Sequence, residues 1–350
     1  MTESSTPDAE YRDAPEWATR YDATSYDPFS WTADVLAYAL SGERTTLRAL
    51  VVVRGGEPYR GLDAWPGGFV EARKDVDARA TAVRELREET GREALEYVEE
   101  LGTYGRLGRD PRQFAGYWSA AEGEEPPAAG DDADDARWAD VYEYLPWEDQ
   151  RSVSGRTAFE RVRKALLRWA ADAWERDART ERVERAFGAE GGRWNEELVP
   201  DRFRLLCEAR LVEEARRDRW GRVPGDSADG AAFGRVMAFD HREMLADALG
   251  RLRGKMKYVP RVLQALVGDR FTLDELQDAC EAVAGRPLHR ANFRRTVSSV
   301  RSPLVVPTGE SRESPGPGVD PKLYQFRGEV IAARLDTALR MPWASLTPAG

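Results

Sequence analysis

The residues most able to do chemistry lie in the stretch Arg84-Glu85-Leu86-Arg87-Glu88-Glu89-Thr90-Gly91. On a helix, Glu85 and Glu89 are four residues apart and Glu85 and Glu88 three, so three carboxylates share one face. Such a cluster repels itself unless a cation neutralises it. Hard divalent ions bind carboxylate oxygens, and Mg²⁺ combines them with substrate phosphates. Arg84 and Glu88 are spaced to form an ion pair that steadies the group. Upstream, Gly67 and Gly68 lack side chains, which lets a ligand or a second element approach the backbone closely. The chain contains only two histidines, His241 and His289, and two cysteines, Cys207 and Cys280. A multi-histidine metal site, a cysteine-rich zinc site and a disulfide framework are therefore excluded, and a metal here is Mg²⁺ or Mn²⁺. Two lone cysteines fit a reducing, cytoplasmic compartment.

The elements that must position these groups are readable from pattern. Asp77–Thr90 has neither Gly nor Pro, carries Ala78, Ala82, Val83 and Leu86 at helical spacing, and ends at Gly91, a C-cap residue. Thr32–Leu40 and Leu47–Val53 flank a turn at Gly42-Glu43 and predict a hairpin. Tyr97–Leu101, Phe114–Ser119 and Trp138–Tyr142 read as further strands, with a Pro/Gly/acid loop between the last two. Gly155–Phe187 and Arg202–Asp218 are amphipathic and helical. Their apolar stripes (Leu166, Leu167 and Trp169; Phe203, Leu205 and Leu206) predict packing on the preceding domain, with Cys207 and Cys280 as small buried residues. His241–Lys257, Val262–Val267, Leu273–Ala284 and Arg290–Val300 predict four more helical segments. The Pro- and Gly-rich segment after Ser302 predicts two short strands around a loop.

A chain of 350 residues holds two or three domains. No stretch approaches the roughly 20 apolar residues of a membrane helix, and the acidic N-terminus is not a secretory signal, so no membrane partner is expected. Charge is uneven: 17 basic and 13 acidic residues lie in 240–350, a net +4, whereas 1–239 carries −14. This C-terminal part could face a polyanion.

Gly67–Gly91 resembles the Nudix box, a Gly, five residues, Glu, seven residues and then Arg-Glu-apolar-x-Glu-Glu-x-Gly. The second half is present without a gap. The first half departs: from Gly68 to Arg84 is two residues longer than the family spacing, Val76 stands at the box glutamate position, and Arg92 replaces the usual apolar residue. By this resemblance Arg84, Glu85, Glu88 and Glu89 are the catalytic group, the three glutamates are the metal ligands, and Arg54, Gly67 and Gly68 bind substrate. Nudix enzymes cleave a nucleoside diphosphate linked to another group.

Residues 236–327 carry a second resemblance. His241–Leu245, LGRLRGKMK (249–257), FTLDEL (271–276), Asn292-Phe293-Arg294-Arg295 and Leu323–Phe326 occur in the order seen in Nudix-related transcriptional regulators of the NrtR type. RGGEPYRGLDAWPGGFV, GRDPRQF and GDDADDARW also look like that family's Nudix half. The resemblance implies a Nudix domain that senses a nucleotide, commonly ADP-ribose, and a winged helix-turn-helix that binds double-stranded DNA as a homodimer. Thr272 with Glu275 three residues on predicts a capping box. Leu288–Val300 would be the recognition helix, offering Arg290, Arg294 and Arg295 to phosphates or guanine edges and Asn292 to adenine. Lys255, Lys257 and Arg261 would add phosphate contacts.

The expected fold class is α+β, a Nudix α/β/α sandwich with a helical insertion, followed by a winged helix-turn-helix domain. The expected boundaries are a disordered acidic tail over 1–27, the Nudix domain over 28–150 and the insertion over 151–235. A linker helix over 236–257 returns to the Nudix domain, with His241 capping or packing it; the winged helix covers 258–330 and a tail 331–350. The expected function is a nucleotide-sensing DNA-binding regulator. The alternative is an active Mg²⁺-dependent pyrophosphohydrolase acting on ADP-ribose or a similar substrate.

Overall fold

A computed structural model describes residues 30–71, 73–91, 97–105, 112–123, 133–188, 194–215, 233–299, 303–313 and 320–328. The expected tails, the acidic loop before residue 133 and most of the 225–234 linker lie outside these residues.

The first domain is a mixed sheet of seven strands: β1 (Ser30–Leu40), β2 (Leu47–Arg54), β3 (Asp63–Ala64), β4 (Gly67–Phe69), β5 (Tyr97–Tyr104), β6 (Arg112–Ala120) and β7 (Ala133–Asp140). They run in the order β3-β2-β1-β6-β5, with β4 also pairing on β1 and β7 on β2. The expected hairpin forms, with Tyr38 opposite Ala49. β1 and β6 pair in parallel along their length. β1 is buried from Thr32 to Leu40, as a strand covered on both faces must be. Its period of two assigns the faces. Ala33, Val35 and Ala37 pack with Ala78, Ala82 and Leu86 of helix α1 (Ala78–Thr90). Leu36, Tyr38 and Leu40 join the core on the other side, with Met244, Leu249 and Leu252 of the long helix His241–Tyr258. The result is the expected helix–sheet–helix sandwich.

α1 is set by local chemistry. The Asp77 carboxylate accepts the Ala80 N–H at 2.7 Å, and Gly91 closes the helix at φ 70° with its N–H donated to Arg87 O. The strand expected over Trp138–Tyr142 lies earlier in the chain. β7 ends at Asp140, whose carboxylate accepts the Tyr142 N–H and starts the short helix α2 (Val141–Tyr144). An N-capping side chain outcompetes a ladder bond at that point.

The insertion forms α3 (Val153–Ala171), α4 (Arg176–Phe187) and α5 (Val199–Glu208). α5 is shorter than expected, because Arg210 adopts φ 56° and turns the chain. Leu166, Phe203, Leu205 and Leu206 are buried in the same apolar cluster as the sheet, and Cys207 is only partly covered while Cys280 is buried. The long helix α6 (His241–Tyr258) leads into α7 (Pro260–Val267), α8 (Leu273–Ala284), α9 (Arg290–Val297) and the hairpin β8 (Val305–Ser311) and β9 (Lys322–Phe326). α8 carries the complete capping box between Thr272 and Glu275. α9 is shorter than expected and begins at His289, whose ring nitrogen accepts the Asn292 N–H. Phe271 and Phe326, with ring centroids 4.9 Å apart, seal the hairpin onto the helices.

The modules meet at one buried carboxylate. Glu148 follows α2 and is fully buried, as are Arg202 of α5 and Arg253 of α6, which both bind it. Arg253 also donates to Val283 O, the Tyr142 hydroxyl donates to Ala282 O, and the Gln150 N–H donates to Gly285 O. The C-terminal turn of α8 is thereby seated on the end of the first domain.

Candidate functional site

Arg84 is the hub of the carboxylate helix. Its Nε and Nη2 donate to the two oxygens of Asp75 at 3.0 and 2.8 Å, and its Nη1 donates to Glu85 at 2.7 Å and Glu88 at 3.1 Å. The Asp75 pair is a fork on a carboxylate, the strongest geometry available to arginine. Thr81 Oγ1 adds a third donor to Asp75. The side-chain hydrogen bond from Arg84, joined by that of Thr81, holds the Asp75 carboxyl well below the usual carboxylate range. Sequence reasoning missed Asp75. Fixed spacing pointed to Val76, which is 93% exposed. The one available signal was an acid a single residue away, in a segment whose length already departed from the pattern.

The glycine pair meets the glutamates from the opposite side. The Gly67 N–H donates to Glu89 Oε2 at 3.1 Å, and a Cβ on Gly68 would lie 2.3 Å from the Glu85 carboxylate carbon. β4 and α1 thus bring Gly67, Gly68, Glu85 and Glu89 together, with Glu88 more exposed on the rim. Burial pushes the Glu85 carboxyl above its ordinary value, against the pull of Arg84. The donor set is entirely oxygen, the kind that hard divalent cations take. As the side chains stand, Glu85 and Glu88 turn to Arg84 and Glu89 to Gly67. Among the described residues no three His, Cys, Asp or Glu side chains converge on a metal position.

Arg54, at the end of β2, donates from Nε to Pro58 O at 2.9 Å and lies over the Phe239 ring, 4.7 Å from its centroid. Two residues on, His241 opens α6 as a buried residue. Its Nδ1 accepts the Trp65 N–H at 2.9 Å, its carbonyl accepts the Trp65 indole N–H at 2.8 Å, and its Nε2 lies 3.6 Å from Asp34 Oδ1. An Nδ1 that accepts leaves the proton of a neutral ring on Nε2. The segment before Gly67 is therefore fastened to the first turn of α6, a link that no local pattern announced.

In the winged helix domain, α9 exposes the expected basic residues. Arg290 and Arg294 both donate to Asp274, at 2.9 and 2.7 Å, and Arg295 donates to Asn292 Oδ1 at 3.0 Å. Lys255 and Lys257 are not brought to this face. Lys255 pairs with Glu99 of β5 at 2.9 Å, and Lys257 is half-buried against Glu196 and Glu197. No helix of the described residues is long and apolar enough to cross a membrane.

Comparison with known proteins places these parts. The NUDIX domain family matches residues 31–157, and the NrtR DNA-binding winged helix domain family matches residues 264–326. The ADPR responsive transcriptional repressor NtrR of Acinetobacter baylyi is 22% identical over 308 residues, covering 88% of this chain and 86% of its own. The ADP-ribose pyrophosphatase of Methanocaldococcus jannaschii is 34% identical over 129 residues, 35% of this chain and 67% of its own. The crystal structure of Shewanella oneidensis NrtR complexed with a 27mer DNA shares the fold, with a TM-score of 0.50 at 19% identity, over 89% of this chain and 99% of that one. The chain belongs to the Nudix superfamily, in the branch that joins a Nudix domain to an NrtR-type DNA-binding winged helix.

Proposed function

We propose that this protein is a DNA-binding transcriptional regulator whose Nudix domain binds ADP-ribose or a related nucleoside diphosphate derivative, and that it acts as a homodimer. The observation that carries the reading is the continuity of structure between the two ends. The segment leading to Gly67 and Gly68 is bonded to His241 at the start of α6. The far half of α6, through Arg253, is bonded to the end of α8, the helix before the recognition helix. A ligand that preferred one arrangement of the glycine segment would bias the placement of α9, and in a dimer the spacing of two copies of α9. Gly68, beside the Glu85 carboxylate, is the backbone position for a diphosphate, with Gly67 packed against Ala33 and Asp34 as its support and Arg54 as a cation for the phosphates. Arg290, Asn292, Arg294 and Arg295 are the residues for DNA. Salt dependence and response to nucleotide are the expected signatures.

The three glutamates support a second activity, hydrolysis of the bound nucleotide. Glu85, Glu88 and Glu89 would hold Mg²⁺ or Mn²⁺, which when bound polarises a phosphoryl oxygen and neutralises developing charge. Arg84, tied to Asp75, holds Glu85 and Glu88 in place from behind.

The test is fluorescence anisotropy with duplex DNA from upstream of the protein's own gene, at two salt concentrations, with and without ADP-ribose and Mg²⁺. Binding that falls steeply with salt and changes with ADP-ribose is expected. Binding indifferent to ADP-ribose would remove that effector. Absence of specific binding at every salt concentration would overturn the regulator in favour of the hydrolase.

A further inference from the structure

The DNA-facing arginines are neutralised from within the chain. Residues 258–328 contain ten Lys and Arg against eight Asp and Glu. The acids sit on the arginines: Arg270 pairs with Glu310, Arg312 pairs with Glu275, and Arg44 from the Nudix domain also reaches Glu275 at 3.1 Å. Like Glu275, Asp274 takes two guanidinium groups, but both of its own come from the recognition helix. Arg290 and Arg294 are four residues apart, so their side chains rise from one face of α9. Asp274 Oδ2 accepts from the first and Oδ1 from the second. The carboxylate is half exposed, as are Arg290 and Arg294. Asp274 is also the second residue of α8, where the free N–H groups and the helix dipole favour a negative charge.

We propose that Asp274 acts as an intramolecular stand-in for a DNA phosphate and so sets the overall affinity for DNA. The proposal rests on the DNA-binding reading above. A planar carboxylate bridging two guanidinium groups makes the contacts that a backbone phosphate would make. Any duplex must take both arginines from Asp274, and then leaves that carboxylate facing the phosphate backbone. The cost falls on every sequence alike, so base-edge contacts from Asn292 or Arg295 keep their full discrimination. Asp274 therefore holds down the affinity for all DNA by a common factor and leaves the ratio of operator to arbitrary affinity unchanged, since specificity is a difference of affinities.

The test compares the full-length wild type with Asp274→Asn and the charge-retaining Asp274→Glu. Two probes are used: a mixed-sequence duplex, and a duplex enriched by the wild type from a random pool. Asp274→Asn should bind the mixed duplex about fivefold more tightly, the equivalent of one unit-charge contact in water. Its salt slope should steepen by about 0.9, the effect of one added net positive charge on the face. The ratio of selected to mixed-sequence affinity should stay the same. Asp274→Glu should stay close to the wild type in all three. An Asp274→Asn protein that melts like the wild type and shows the same or weaker affinity at the same slope overturns the proposal while the regulator stands. A wild type that binds neither duplex overturns the regulator, and this inference with it.

Discussion

Replacing Glu148 by Gln removes one charge and almost no volume, at the point where sheet, insertion and linker helix meet. Glu148, Arg202 and Arg253 are all fully buried. The Glu148 oxygens accept from Arg202 Nε at 2.5 Å, Arg202 Nη2 at 2.9 Å and Arg253 Nη1 at 2.6 Å. Arg202 also donates to Ala186 O and Asn195 O, and Arg253 to Val283 O and Glu196 O. Those carbonyls hold both guanidinium groups where they are, so neither can escape to solvent when the carboxylate is gone. The glutamine amide would turn a donor toward a donor. Breaking a buried pair costs about 3–5 kcal/mol, and with two cations losing one anion the upper part of that range applies. Urea unfolding followed by tryptophan fluorescence reads the change directly, because Trp147 is buried beside Glu148 and the Arg202 guanidinium lies 3.9 Å from the Trp194 ring centroid. The acid limb gives an independent check. Burial alone would raise the Glu148 carboxyl, but Arg202 and Arg253 outweigh it and hold it below its ordinary value. A lowered folded-state value contributes stability that is complete above the unfolded value, about 4.3, and is lost as pH falls through the folded one. The wild type should therefore lose stability below about pH 4, and Glu148→Gln should lack that part of the loss. A Glu148→Gln change under about 1 kcal/mol, the size of an exposed pair, would refute the argument that this carboxylate joins the modules.

The glycines separate site from scaffold. Gly68→Ala would place a methyl 2.3 Å from the movable end of Glu85, so it should keep the fold and melt near the wild type while weakening ADP-ribose binding in titration calorimetry. Gly67→Ala would meet Ala33 O and the Asp34 Cα at 2.7 Å, atoms that cannot swing away, so it should lower the melting temperature. Gly285→Ala would put its Cβ 2.0 Å from Glu148 O at φ 66°. The left-handed backbone alone costs about 1–2 kcal/mol, and the clash should unseat α8. DNA affinity should then stop responding to ADP-ribose, which an anisotropy titration would show.

What the sequence determined by itself is what depends on neighbours a few residues away. Asp77 and Gly91 bound α1, Thr272 and Glu275 start α8, and helical spacing alone puts Glu85, Glu88 and Glu89 on one face. The apolar run Thr32–Leu40 likewise announced a strand, and the structure showed that both its faces are buried. Family motifs then located the glycine pair and the recognition helix. The tertiary structure decided which charge meets which. Asp75 replaced the expected box residue because a loop of altered length carried it under Arg84. Lys255 and Lys257, basic and helical in sequence, were claimed by Glu99, Glu196 and Glu197 on elements folded against α6. The Glu148 cluster joins residues 54 and 105 positions apart. A carboxylate pairs with whichever guanidinium the folded chain delivers, and that choice follows from packing in three dimensions rather than from any periodicity along the chain.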